Sequence, residues 1–184
     1  MRDEMSGNAG HRPEGSSIVW DYPQSASVPH QGFPVPSQPS LRPFDIAVAL
    51  RLVLVPEDRY EPLANALATS TSAVHRSVAR LQLAGICGPG SRTVRLDALM
   101  EFLEQGVRFA FPAVHGPERT GPPTAFAHPE LAAAVSPAPD QRTLVWAAEG
   151  GEVRGETLAP LFSGLTKVAT KDPRMHLLLA GVDA

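Results

Sequence analysis

Four arginines, Arg76, Arg80, Arg92 and Arg95, fall between Ser70 and Leu96 with no acidic residue among them. Guanidinium groups in such a run have one chemistry above others, which is forked hydrogen bonding to phosphates and to the guanine edge. Arg76 and Arg80 stand one helical turn apart, so a helix here would present them together, while Ser72 and His75 offer shorter hydrogen bonds beside them. The neighbouring sequence balances the charge: residues 44–110 carry seven basic and seven acidic side chains, and the whole chain has 16 Lys and Arg against 19 Asp and Glu, a net charge of -3. That total argues against a protein that coats nucleic acid indiscriminately and leaves a polarised face as the alternative.

The elements that would hold these residues can be read from their punctuation. Pro43 and Asp45 suit a first helical turn, and Ile46, Ala49, Leu50 and Val53 recur at helical spacing until Pro56. Tyr60, Leu63, Ala64 and Leu67 give a shorter second stripe. The hydroxyls of Thr69, Ser70, Thr71 and Ser72 then cap a third helix to about Leu83, with Val74, Val78 and Leu81 inward, Ser72, His75, Arg76, Ala79 and Arg80 outward, and Gly85 as its stop. Ile86-Cys87 and Thr93–Leu96 flank Gly88-Pro89-Gly90-Ser91-Arg92, which predicts a small hairpin with Arg92 at its tip. Arg95 reads equally well as a DNA contact and as an ordinary surface charge.

Two short helices joined by a hydroxyl-rich turn, followed by a hairpin, resemble the winged helix-turn-helix of bacterial transcriptional regulators, broadly MarR-like, over about residues 44–98. The resemblance implies a third helix in the DNA major groove, a wing on the backbone or minor groove, double-stranded DNA as partner, and a homodimer built by helices outside the reading unit. A monomer with Leu99 and Phe102 packed inward is the alternative. The expected activity is occupancy of a duplex site, repression where that site overlaps a promoter. The competing reading is a noncatalytic winged-helix protein-interaction module, such as an antitoxin or defence-complex subunit.

The flanks read differently. Seven prolines before Phe44 predict a disordered tail over residues 1–43, with Ile18, Val19, Trp20 and Tyr22 as an apolar cluster suited to docking. A fourth helix is expected from Asp97 to Gly106, closing a winged domain of residues 44–106. Residues 107–184 then form a small mixed α/β extension for a partner or effector, so the expected class is α+β with a Pro-rich loop. Within the extension, Val107–Phe111 reads as a strand. The seven prolines from Pro112 to Pro139 predict an irregular loop, in which His115, Glu118, Arg119, Thr120 and His128 form a ligand pocket or an interaction loop, or Phe109, Phe111 and Phe126 act as anchors that fasten it to the winged domain, the favoured reading. Thr143–Ala148 and Glu152–Gly155 suggest a hairpin about Gly150-Gly151, Thr157–Leu165 a short helix, and Pro173–Leu179 a last one. The apolar ending, Met175 onward, suits packing on the domain or on a second subunit.

No nucleophile elbow, phosphate loop, dinucleotide fingerprint or compact histidine ligand pair occurs, so neither an enzyme nor a cofactor or metal is expected. One cysteine, Cys87, excludes an intramolecular disulfide and suits a reducing interior. With no run near the roughly 18 apolar residues of a membrane helix, the expected location is the cytoplasm.

Overall fold

Pro43 opens helix α1 (Pro43–Leu54) in the computed structural model, which describes residues 40–56, 59–135 and 142–184. Residues 1–39 of the expected tail, with the Ile18–Tyr22 cluster, lie outside the described residues; Leu41 packs against the core, Arg42 is the N-cap of α1 and Pro43 its first residue, so the expected disorder does not reach residue 43. Ile46, Ala47, Val48, Ala49, Leu50 and Leu52 of α1 are all buried, which marks it as the central helix rather than a surface one. Helix α2 (Tyr60–Ala66) contributes Leu63 and Ala64 to the core. Helix α3 (Thr71–Leu83) lays Val74, Val78 and Leu81 on α1, each such side chain worth about 1.5–3 kcal/mol of burial. Ser70 caps α3, its Oγ accepting from Ala73 N at 3.3 Å. A short hairpin follows, held by a single antiparallel bridge between Cys87 and Val94 and by Arg95 N donating to Ile86 O at 2.8 Å.

Helix α4 (Leu96–Glu101) does not end at Gly106. It runs through a π-helical turn, Phe102–Gly106, into α5 (Val107–Ala110), so the strand expected at Val107–Phe111 is helical. A Cβ at Gly106 would sit 2.7 Å from the Phe102 ring, and the glycine serves there as a seat for that ring instead of a stop. The alternation Val-Arg-Phe-Ala-Phe mimics strand period, yet on the helix it buries Val107 and leaves Phe109 75% exposed. Phe109 is therefore no anchor; Phe111 is one, edge-on to Phe102 at 6.3 Å.

The proline-rich stretch is ordered secondary structure where it is described. Strand β1 (His115–Gly121) pairs antiparallel with β4 (Val153–Leu158), β3 (Leu144–Val145) lies parallel to β4, and β2 (Pro123–Thr124) closes the order β1-β4-β3-β2. The prolines occupy places that need no donor: Pro117 falls in the bulge between Gly116 and Glu118, Pro123 starts an edge strand, and Pro129 starts helix α6 (Pro129–Ala134). The expected hairpin at Gly150-Gly151 is replaced by a crossover between parallel strands. Its loop closes tightly: a Cβ at Gly121 would meet the Trp146 carbonyl oxygen at 1.8 Å, and one at Gly151 would meet Gly121 Cα at 2.4 Å. Thr157 and Leu158 belong to β4 and not to a helix, since the Thr157 hydroxyl donates to Pro117 O at 2.8 Å. The helix there, α7 (Leu165–Lys171), starts only after Gly164 at φ 96°.

The last helix, α8 (Pro173–Val182), is longer than expected and is docked at both ends. At its start Asp172 caps it and accepts from Arg51 of α1 at 2.8 Å. At its end Asp183 Oδ2 accepts from the Trp146 indole at 2.8 Å and the Thr124 hydroxyl at 2.7 Å. Between them, His176 Nε2 donates to Pro123 O at 2.8 Å, and the His128 ring stands edge-on to His176 at 4.5 Å. Leu165, Val168, Met175 and Leu179 share one continuous core with α1 and α3. The result is an α+β fold, several helices around a small open four-stranded sheet. Among the described residues no helix is long and apolar enough to cross a membrane.

Candidate nucleic-acid interface

The outward side of α3 carries Ser72, His75 and Arg76, all exposed. The Ser72 and Ser70 hydroxyls share a hydrogen bond at 3.1 Å, so the first turn presents two oriented oxygens. His75 stacks on Tyr60, ring centroids 3.5 Å apart and planes 21° from parallel. Arg76 has no ion-pair partner among the described residues.

Arg80 is placed otherwise than the helical spacing suggests. Its Nε donates to Asp45 Oδ2 at 2.7 Å and its terminal nitrogen to Asp45 Oδ1 at 2.6 Å, a bidentate pair with Arg80 14% and Asp45 1% exposed. The buried Ser77 hydroxyl donates to the same carboxylate at 2.6 Å, and Arg42 N at 2.8 Å. Its hydrogen bonds to the Asp45 carboxylate hold the Arg80 guanidinium above its ordinary pKa. Arg80 thus fastens α3 to the first turn of α1, and the outward arginine of the helix is Arg76.

The hairpin is tied to the same helix. Gln82 Nε2 donates to Ser91 O at 2.7 Å, Ser91 N and Gly88 N close the turn, and the Arg92 guanidinium lies over the Tyr60 ring at 4.9 Å from its centroid. Arg95 is exposed beside exposed Asp97 at 3.4 Å, a pairing of little energetic weight. Buried Cys87 under the hairpin has its thiol pKa pushed up by desolvation, which makes it a packing residue. Helix α3 therefore carries Ser72, His75 and Arg76 on one exposed face, His75 and Arg92 share the Tyr60 ring, Arg95 stands at the N-cap of α4, and Arg80 turns inward.

Two residues of this arrangement are absent from a reading of the chain by pattern. Tyr60 reads as one member of an apolar stripe, and its role as a platform for His75 and Arg92 has no local signal. Asp45 reads as a helix-dipole residue, and its partner lies 35 positions away.

The extension does not gather His115 and His128 into one pocket. His115 pairs with Glu156 at 3.0 Å on the exposed face of the sheet, where Arg142 holds the Glu156 carboxyl below the usual range, and Glu118 pairs with Arg154. His128 belongs to the buried α8 cluster, its Nδ1 without a hydrogen-bond partner and its pKa lowered by burial and by His176. An apolar groove of about 700 Å³ does open between α4–α5 and α8, lined by Met100, Leu103, Val107, Leu178 and Val182, with Glu104 and Arg108 at its edge. No protein-family model, curated protein or solved structure matches this chain.

Proposed function

We propose that this protein is a sequence-specific double-stranded DNA-binding regulator of the winged helix-turn-helix class, acting by occupancy and repressing where its site overlaps a promoter. The observation that supports this reading is the joining of α3 and the hairpin through Tyr60, whose ring meets both His75, next to exposed Arg76 on the helix, and Arg92 of the hairpin. Arg76 is the base- or phosphate-reading residue of the helix; Arg92 supplies backbone affinity from the wing; Arg95 adds a weaker charge. Arg80 supports the fold of that edge and does not read DNA.

The test is a duplex titration at several salt concentrations with genomic and random fragments. Arg76→Ala is expected to weaken selective binding by about 1–3 kcal/mol if its contact is bidentate to a base, and to reduce it uniformly across sequences if the contact is to phosphate. Retention that ignores Arg76→Ala, or none by the intact protein, rejects the assignment.

Reading a duplex with two-fold sites calls for two copies. In this proposal the partner is a second copy of the same chain, seated along the α4–α8 groove. Glu104 and Arg108 stand one turn apart at its edge, so an identical helix laid antiparallel by a two-fold axis brings each opposite its counter-charge. Glu104→Arg and Arg108→Glu are each expected to weaken the dimer about tenfold, and the double exchange to restore it, by sedimentation equilibrium. A wild-type monomer, or a double exchange as weak as either single one, excludes this pairing.

A further inference from the structure

We propose that Tyr60 is the positioning residue of the reading edge: it fixes Arg92 of the hairpin relative to α3, so that wing and helix meet a duplex as one rigid body. This rests on the DNA-binding reading for its consequence, and on geometry for its cause. Three successive elements meet on one ring: the first turn of α2 supplies Tyr60, α3 supplies His75, and the hairpin supplies Arg92. His75 lies flat on one face at 3.5 Å, which leaves the other face for the guanidinium at 4.9 Å.

The hairpin needs such a support. It has one bridge in its ladder, Cys87 to Val94, and a two-stranded ribbon of that length is not stable by itself. Gln82 restrains its backbone at Ser91, but a backbone bond does not orient a long side chain one residue later. The Tyr60 ring is one of the contacts that do so, and it couples the Arg92 head to the helix that carries Arg76. The phenol hydroxyl plays no part in either ring contact, so a phenylalanine fulfils the same task.

The experiment compares wild type with Tyr60→Phe, Tyr60→Leu, Arg92→Ala and the Tyr60→Leu/Arg92→Ala double variant in the duplex titration across salt. Tyr60→Phe is expected to match wild type. Tyr60→Leu is expected to bind roughly threefold to tenfold more weakly at low salt and to lose about one unit of salt slope, as Arg92→Ala does, with no further loss in the double variant. Losses that add in the double variant, or an unchanged salt slope in Tyr60→Leu, overturn the proposal. Order at Arg92 Nε, followed by nitrogen relaxation in the free protein, is expected to fall in Tyr60→Leu and to be kept in Tyr60→Phe; equal order in both also overturns it. Because that readout needs no DNA, a wild type that fails to bind duplex rejects the functional reading alone, while relaxation still decides the role of Tyr60. Should Tyr60→Leu fail to fold, His75→Ala removes the stacking partner and leaves the ring, and Arg92 order is expected to fall there too; unchanged order in that variant counts against the proposal.

Discussion

Asp45→Ala is expected to destabilise the protein by about 3–5 kcal/mol, measured as the shift of a urea unfolding curve followed by helical circular dichroism. The carboxylate is 1% exposed and takes a bidentate fork from Arg80, a hydroxyl from Ser77 and the backbone N–H of Arg42. Removing it leaves a guanidinium that is 14% exposed with no acceptor, together with an orphaned buried hydroxyl. Such an uncompensated charge costs far more than the intact pair contributes, because the pair has already absorbed its own desolvation. Arg80 does not relieve the strain by giving up its proton, because a guanidinium stays charged even without its partner. Against a typical total stability of about 5–15 kcal/mol, the variant stands near the threshold of folding.

Two companion variants give the prediction its edge. Asp45→Asn keeps the shape and some of the hydrogen bonds while losing the charge, and is expected to fall between wild type and Asp45→Ala. Asp45→Leu/Arg80→Leu removes both charges and is expected to cost much less than the sum of its single changes, the non-additivity that marks a directly coupled pair. Additive losses, or an Asp45→Ala cost under about 1 kcal/mol, show that α3 is not tied to α1 through this carboxylate. The same series separates folding from reading. Arg80→Ala is expected to lower stability, and any loss of duplex binding in it should track the unfolded fraction, whereas Arg76→Ala leaves the unfolding curve in place.

Arg80 also shows what a helical pattern conveys and what it does not. Helices α1, α2 and α3 follow the proline, hydroxyl and glycine punctuation closely, because caps and stops are local chemistry and the apolar stripe is periodic over a dozen residues. The angular position of Arg80 on the helix is legible in the same way, but the destination of a long side chain depends on which acceptor the tertiary fold brings near. Here the acceptor is on another helix, in a position where a first-turn carboxylate has a sufficient local explanation. Ser77 carries the same lesson, since a buried serine on an otherwise apolar face needs a partner that spacing does not name.

The sheet was less legible for a different reason. Strands β2 and β3 are two residues each, too short for an alternation to register, and β1 is almost wholly exposed, so it has no apolar period. Its prolines look like breakers in sequence because the permitted sites, a bulge and an edge start, are defined only once pairing is known. The parallel alignment of β3 with β4 depends on close approach of Gly121, Gly151 and the Trp146 backbone, a contact between segments about 30 positions apart.

Trp146→Ala is expected to cost about 3–5 kcal/mol, and the more informative Trp146→Phe to cost less, by an amount that grows with pH. Trp146 is fully buried, its ring tilted on His176 at 5.4 Å and its indole N–H donating to Asp183. Burial raises the Asp183 pKa above the ordinary carboxylate value, and the hydrogen bonds from Thr124 and Trp146 oppose that rise. A carboxyl whose folded pKa is raised contributes its stability in the protonated form, and that contribution fades as pH climbs from about 4 through the folded value. In Trp146→Phe the ionised Asp183 loses one of its two donors, the folded pKa rises further, and the penalty at neutral pH deepens by about 1–3 kcal/mol relative to acid. His128 works in the opposite sense. Its pKa is lowered from 6.5, so acidification below that value favours the unfolded chain, in wild type and variant alike, and this common slope cancels in their difference. Urea curves of both proteins at a series of pH values should therefore diverge from acid to neutral. Parallel curves, or a difference largest in acid, show that the indole does not sustain the half-buried Asp183 carboxylate that seats the end of α8 on the sheet.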